Sequence, residues 1–188
     1  GWLAAIGFSD FAGSTLVHST GGAAALAGII ILGPRFGRFD SKGNPKAIQP
    51  FAASSIPLVT IGVFVLWLGW FGFNGGSQLA LGSFADAVAI STIFINTNLA
   101  ACGGVLAAAV ITRLLFGKTD VIQMLNGAIG GLVAITAEPL APTPLAAILI
   151  GAMGGVIVVF GTKLLFSFKL DDVVGAIPAH MFAGIFGT

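Results

Sequence analysis

What this chain has little of is charge. Only 8% of its 188 residues are Asp, Glu, Lys or Arg, where a soluble domain carries about 25%. Too few charges remain to cover a water-facing surface, so most of the surface is expected to face lipid. The formal net charge is +1, which removes any global attraction for nucleic acid. The one cysteine, Cys102, excludes an internal disulfide. Its small apolar neighbours read as the surroundings of a packed thiol. Motifs of familiar enzyme chemistry are missing as well. There is no nucleophile-elbow serine, no His-Glu-x-x-His metal motif and no phosphate loop. No basic segment precedes an apolar run at the start, so no signal peptide is read.

Apolar residues take the place of charge. They make up 56% of the sequence, and mean hydropathy is +1.04. Six apolar stretches can be drawn, at 14–33, 51–73, 87–112, 121–137, 143–162 and 173–188. Each approaches the roughly 20 residues that an α-helix needs to cross a bilayer. The expected fold is an all-α membrane protein, a polytopic helical bundle forming one transmembrane domain. The chain opens on Gly1 and stops at Thr188 within an apolar run. It is expected to be a piece of a longer protein. Glycines spaced by four, Gly127 with Gly131 and Gly151 with Gly155, suit close helix packing in lipid.

The basic residues are one-sided. Arg35, Arg38, Lys42 and Lys46 fall in the first connection, Arg113 and Lys118 in the third, Lys163 and Lys169 in the fifth. The second and fourth connections hold only Asp86 and Glu138. If the stretches alternate, every basic residue lies on one side, and the positive-inside rule makes that side cytoplasmic. The 35–46 loop is then inside, and the first and sixth stretches run in opposite directions.

Both histidines of the chain sit in one frame. Asp10, Gly13, His18 and Gly22 have the same spacing as Asp172, Gly175, His180 and Gly184. On oppositely directed helices this is an inverted-topology repeat, whose functional site is expected where the repeats meet. Read as α-helix, eight residues carry each histidine about 12 Å from its aspartate, towards mid-membrane. An imidazole there needs partners for its nitrogens. Two imidazoles can satisfy each other and leave one nitrogen each for a passing solute or a relayed proton. The bland alternative is a core histidine bonded to a backbone carbonyl. Asp10 and Asp172, near helix starts, read as caps. Asp10 could also lend negative potential to a cation.

The frame around His18, the run Gly69-Trp-Phe-Gly-Phe-Asn-Gly-Gly-Ser77, the segment from Asn126 to Thr136, and Asp171 through His180 with Gly184 together resemble the ammonium transporter family. The resemblance extends over essentially the whole chain. It implies the fifth to tenth of eleven membrane helices. It further implies that His18 and His180 are twin pore histidines and that Phe73 is the inner of two stacked gating phenylalanines. Ser77 would recruit ammonium, with Asp10 beneath that site. Trp2 would be the cation-binding tryptophan, although it stands closer to Asp10 in sequence than in bacterial members. Trp70, Thr136 and Asp172 would be structural neighbours of the site. The family also implies a homotrimer in the plasma membrane, no cofactor, and a regulator of the PII type on the cytoplasmic face.

Other readings use the same residues. A sensor would bind ammonium in the same pore and pass the signal to a cytoplasmic module. A membrane enzyme built on Asp10, His18 and Ser77 fails on distance, because about 12 Å separates Asp10 from His18 along a helix. A water channel would call for an Asn-Pro-Ala signature, whereas Asn44-Pro45 is followed by Lys46. The orientation is testable directly. A cysteine placed at Ser41 should resist a membrane-impermeant thiol reagent in intact cells and react after permeabilisation. Labelling from outside would reverse the assignment.

Overall fold

The computed structural model describes residues 1–40 and 53–188. Lys42, Lys46, Asn44-Pro45 and Ser41 of the basic loop, with the first two residues of the second apolar stretch, lie outside the described residues. The chain begins with a single turn, α1 (Trp2–Ala5). A π-turn at Ser14–Ser19 leads into α2 (Thr20–Leu32). Four longer helices follow: α3 (Ile56–Gly76), α4 (Phe84–Phe116), α5 (Val121–Ile135) and α6 (Pro144–Ser167). A second π-turn at Ile177–Phe182 then leads into α7 (Ala183–Gly187).

Each long helix starts where a short polar side chain can take the orphan amides of its first turn. Ser55 accepts from the Leu58 amide to cap α3. Ser83 and Asp86 form a reciprocal capping box on α4. Asp120 takes two amides of α5, and Thr143 caps α6 ahead of Pro144. α4 stops at Gly117, whose φ of 71° is left-handed. The Arg113 guanidinium adds a bond to the Gly117 carbonyl at 2.6 Å.

Among the described residues, four helical segments are long and apolar enough to cross a bilayer: Ser14–Leu32, Ile56–Gly76, Phe84–Phe116 and Pro144–Ser167. Val121–Ile135 and Ile177–Gly187 are apolar but shorter. The exterior is apolar to match, with Leu68 70%, Ile31 83% and Leu32 85% exposed. Inside, α4, α5 and α6 form a tight triplet. α5 is buried continuously from Gly127 to Ile135. A Cβ on Gly127 would stand 2.6 Å from the Gly104 carbonyl oxygen and 2.7 Å from Ala108 Cβ. Only glycine permits this approach, which supplies packing where lipid offers no hydrophobic drive.

The two π-turn segments cross one another. α2 packs on the second π-turn, α7 packs on the first, and the π-turns touch each other. α2 and α7 do not meet. Oppositely directed segments crossing at the histidines give this pattern, and with the matched sequence frames it makes the bundle an inverted repeat.

A charge cluster straps the halves together at one end. Asp171, only 4% exposed, accepts from Arg35 Nε at 2.7 Å, Arg35 Nη2 at 2.8 Å and the Arg35 amide at 3.0 Å. Arg38 Nε lies 3.2 Å from the same carboxylate, and its guanidinium covers the Phe166 ring at 4.5 Å. Asp171 and Asp172, adjacent in sequence, therefore do different work. Asp171 ties the segment after α2 to the start of the His180 half. The Arg35 hydrogen bond holds the Asp171 carboxyl below its ordinary range, against the opposing effect of burial. A lowered native pKa places the stabilisation above the usual aspartate value of about 4. It is lost as pH falls through the native value. Asp171→Asn should cost about 2–3 kcal/mol, since it removes the buried negative charge that both guanidiniums face. Thermal unfolding in detergent at pH 7 should show the loss, and the gap to wild type should narrow at low pH.

Candidate functional site

Each histidine is presented by the same local device. Asp10 accepts from the amides of Ser14 at 2.7 Å, Thr15 at 2.9 Å and Leu16 at 2.9 Å. Asp172 accepts from Gly175 at 3.0 Å, Ala176 at 3.0 Å and Ile177 at 2.8 Å. Between aspartate and histidine the chain turns through a left-handed glycine, Gly13 at φ 108° and Gly175 at φ 76°. The histidines then fall inside the π-turns. The continuous α-helix assumed from the sequence is thus interrupted at both places. A π-turn is wider than an α-turn and interrupts the regular ladder, which is why such turns recur at functional sites.

The rings meet at the crossing. His18 Nδ1 lies 3.2 Å from His180 Nδ1, with ring centroids 5.2 Å apart and planes 28° from parallel. In a neutral pair one Nδ1 donates and the other accepts. The tautomers then differ, so one Nε2 is an acceptor and the other carries a proton. His18 Nε2 is buried without a hydrogen-bond partner among the described residues.

α3 supplies the neighbouring surface. Trp70 stacks on His18 with centroids 4.8 Å apart and planes 16° from parallel. Phe73 stands 5.4 Å from His18 at 45° and 5.9 Å from Trp70. A buried polar chain holds the indole. Trp70 Nε1 donates to Thr136 Oγ1 at 2.9 Å. Asn74 Oδ1 lies 3.2 Å from that hydroxyl, and Asn74 Nδ2 donates to Thr97 Oγ1 at 3.0 Å. The Thr136 carbonyl also accepts the Ala12 amide at 3.1 Å, which ties the chain just before Gly13 to the end of α5. Ser77, one turn beyond Phe73, donates its hydroxyl to the Phe73 carbonyl at 2.8 Å and keeps its lone pairs.

The structure therefore brings His18, His180, Phe73, Trp70 and Thr136 into one cluster. Asp10 and Asp172 sit at the starts of the two π-turn segments, and Ser77 lies at the end of α3. Trp2 stands apart on α1, 74% exposed. Asn74 and Thr97 were not singled out from the sequence. Their signal was present, since a polar side chain deep in an apolar stretch needs a partner.

The fold and the cluster define a polytopic helical membrane protein whose two halves present paired histidines to each other. The family model for the Ammonium Transporter Family matches residues 1–188, and the chain belongs to that family. It is 48% identical over 181 residues to ammonium transporter Amt2 of Archaeoglobus fulgidus, covering 96% of this chain and 37% of the relative. It is 46% identical to a putative ammonium transporter of Synechocystis, covering 100% of this chain and 42% of the relative. Among solved structures it resembles a Sensor Amt Protein at 37% identity and TM-score 0.92, covering 100% of this chain and 44% of that one. It also resembles Mep2 of Candida albicans at 31% identity and TM-score 0.86, covering 100% and 39%. The chain thus spans about two fifths of the length of these relatives.

The capping geometry has a measurable consequence. Asp10→Ala removes the acceptor of three amide hydrogen bonds at once and should destabilise the folded protein by about 1–2 kcal/mol. Asp10→Asn, which keeps one acceptor oxygen, should lose clearly less. Thermal melts of both variants beside wild type check the order.

Proposed function

We propose that the whole protein to which this chain belongs moves ammonium across the membrane as ammonia and a proton, with His18 and His180 lining the path. The observation that carries this reading is the Nδ1–Nδ1 contact at 3.2 Å beneath Trp70 and Phe73. The order of groups supports a route. Ser77 offers hydroxyl lone pairs at the end of α3, where the negative end of the helix dipole favours a cation. The aromatic face of Phe73 comes next and attracts a cation electrostatically. Beyond it lie the histidines, among apolar walls that tolerate no bare charge. Potassium has no proton to shed and stops there. Ammonium can leave its proton and continue as a neutral molecule. The opposed tautomers of the pair offer one acceptor and one donor, which suits both hydrogen bonding to ammonia and relay of the proton. Selection on this route comes from deprotonation rather than size.

Within the same proposal the protein is a homotrimer in the plasma membrane, with the 35–46 loop cytoplasmic and open to a PII-type regulator. It acts without a cofactor, as a transporter and not an enzyme. Asp10 stands beneath the recruitment site, and Trp2 is the candidate for the cation-binding ring. The likeness to a Sensor Amt Protein favours a second reading, in which the same pore reports ammonium to a signalling module. A cytoplasmic signalling domain in the full reading frame would decide for that reading.

The histidines test the proposal together. A hydrogen-bonded pair acts as a unit, so its substitutions are not additive. His18→Ala and His180→Ala should each cut selective ammonium flux in vesicles, each leaving a buried nitrogen unsatisfied at about 1–3 kcal/mol. The double variant should lose far less than the sum. An acidic replacement at either position should admit potassium beside ammonium. Additive losses with unchanged selectivity would place the histidines outside the path.

A further inference from the structure

We infer that Gly22 and Gly184 are the spacers that set the distance between the two histidines, and hence are selectivity-determining positions of the route proposed above. They act through the histidines and are positioning residues. The inference rests on that functional reading for its consequence, but not for its geometry.

Each glycine follows its own histidine by four residues. Each packs against the residue just after the other histidine. A Cβ on Gly22 would lie 2.6 Å from both the amide nitrogen and the Cβ of Met181, and 2.9 Å from its Cα. A Cβ on Gly184 would lie 2.5 Å from the Ser14 carbonyl oxygen and from Ser19 Oγ, and 3.1 Å from the Ser19 amide nitrogen. The obstacles are mostly backbone, which cannot swing aside as a flexible side chain can. Neighbouring hydroxyls fasten the same crossing. Ser14 Oγ lies 3.2 Å and Thr15 Oγ1 3.3 Å from the Gly184 carbonyl, and Ser19 Oγ lies 3.4 Å from that of Met181. The crossing is therefore held shut by hydrogen bonds and allowed to close by two missing side chains.

Ordinary contact for a Cβ is 3.4–4 Å. A methyl group at position 22 must push the Met181 backbone back by most of an ångström. His180 is bonded directly to Met181 and moves with it. The histidine contact at 3.2 Å already stands at the long end of a hydrogen bond. A retreat of a few tenths of an ångström ends it. The parted rings would leave room for water, and with water a bare cation no longer has to shed a proton. Gly21 shares the same helix with nothing within 4 Å of its would-be Cβ. Alanine there changes helix propensity equally and leaves the crossing alone.

The test uses the whole protein with 15N-labelled histidine, in wild type and in Gly21→Ala, Gly22→Ala and Gly184→Ala. One measurement is the 15N–15N coupling across the histidine hydrogen bond. The other is flux of ammonium and potassium in reconstituted vesicles. Wild type and Gly21→Ala should show the coupling and pass ammonium alone. Gly22→Ala and Gly184→Ala should lose the coupling, lose at least tenfold in the ratio of ammonium to potassium flux, and still elute as folded protein. Coupling without ammonium flux in wild type would sink the functional reading and leave the spacer assignment standing, provided the two variants lose the coupling. If both variants fold with coupling and selectivity intact, or if neither reaches a folded state, the glycines serve packing alone and the inference is overturned.

Discussion

An imidazole nitrogen far from water must find a partner, because a buried polar group left alone costs free energy comparable to the hydrogen bond it lacks. That constraint organises the centre of this molecule. One ring cannot satisfy itself, and the apolar sequence around it offers few side chains that can. The second histidine supplies the partner at 3.2 Å. Two segments that bring equivalent side chains to one point from opposite directions must cross there. The inverted repeat, the matched π-turns and the close approach at Gly22 and Gly184 all serve that crossing.

The polar groups around the histidines obey the same rule. Asp10 and Asp172 are occupied by three amides each. Trp70, Thr136, Asn74 and Thr97 close a chain in which each buried donor finds an acceptor. Asp171 is balanced by two arginines. These networks fix the plane of the ring stacked on His18 and the height at which each histidine-bearing segment begins. Within the histidine cluster, His18 Nε2 is left without a hydrogen-bond partner among the described residues. In a route for a small hydrogen-bonding solute, such a nitrogen is where the solute would bind.

Close helix packing and the histidine cluster draw on different parts of the bundle. The α4–α5–α6 triplet is apolar, rich in glycine and closely packed, and its polar link to the histidine cluster runs through Thr97 and Thr136, in the polar chain behind Trp70. The histidines ride on segments interrupted by left-handed glycines and π-turns, which regular helix packing would not choose. Their position is held from outside by caps, by the Arg35–Asp171 strap and by the Ala12 bond to Thr136. A rigid scaffold with irregular inserts lets the site be held in place without asking the inserts to be stable alone.

The sequence by itself determined the class of the protein. Scarce charge and long apolar stretches leave no alternative to lipid exposure, because neither depends on how the helices pack. The repeated Asp, Gly, His and Gly spacing carried the inverted repeat and the pairing of His18 with His180, since a mid-membrane histidine has so few ways to be satisfied. What only the tertiary structure decided lies in contacts between residues distant in the chain. Trp70 lies on His18 because Thr136, at the end of α5, accepts a hydrogen bond from its indole N–H. Asp171 pairs with Arg35 across 136 positions while its neighbour Asp172 caps a turn, a division of labour that adjacency in sequence conceals. The π-turns escaped the pattern because the frame counts residues, and the geometry that seats them comes from caps and crossings. Local spacing can say which residues must be partnered in an apolar interior; the packing of the helices decides which partner each one meets.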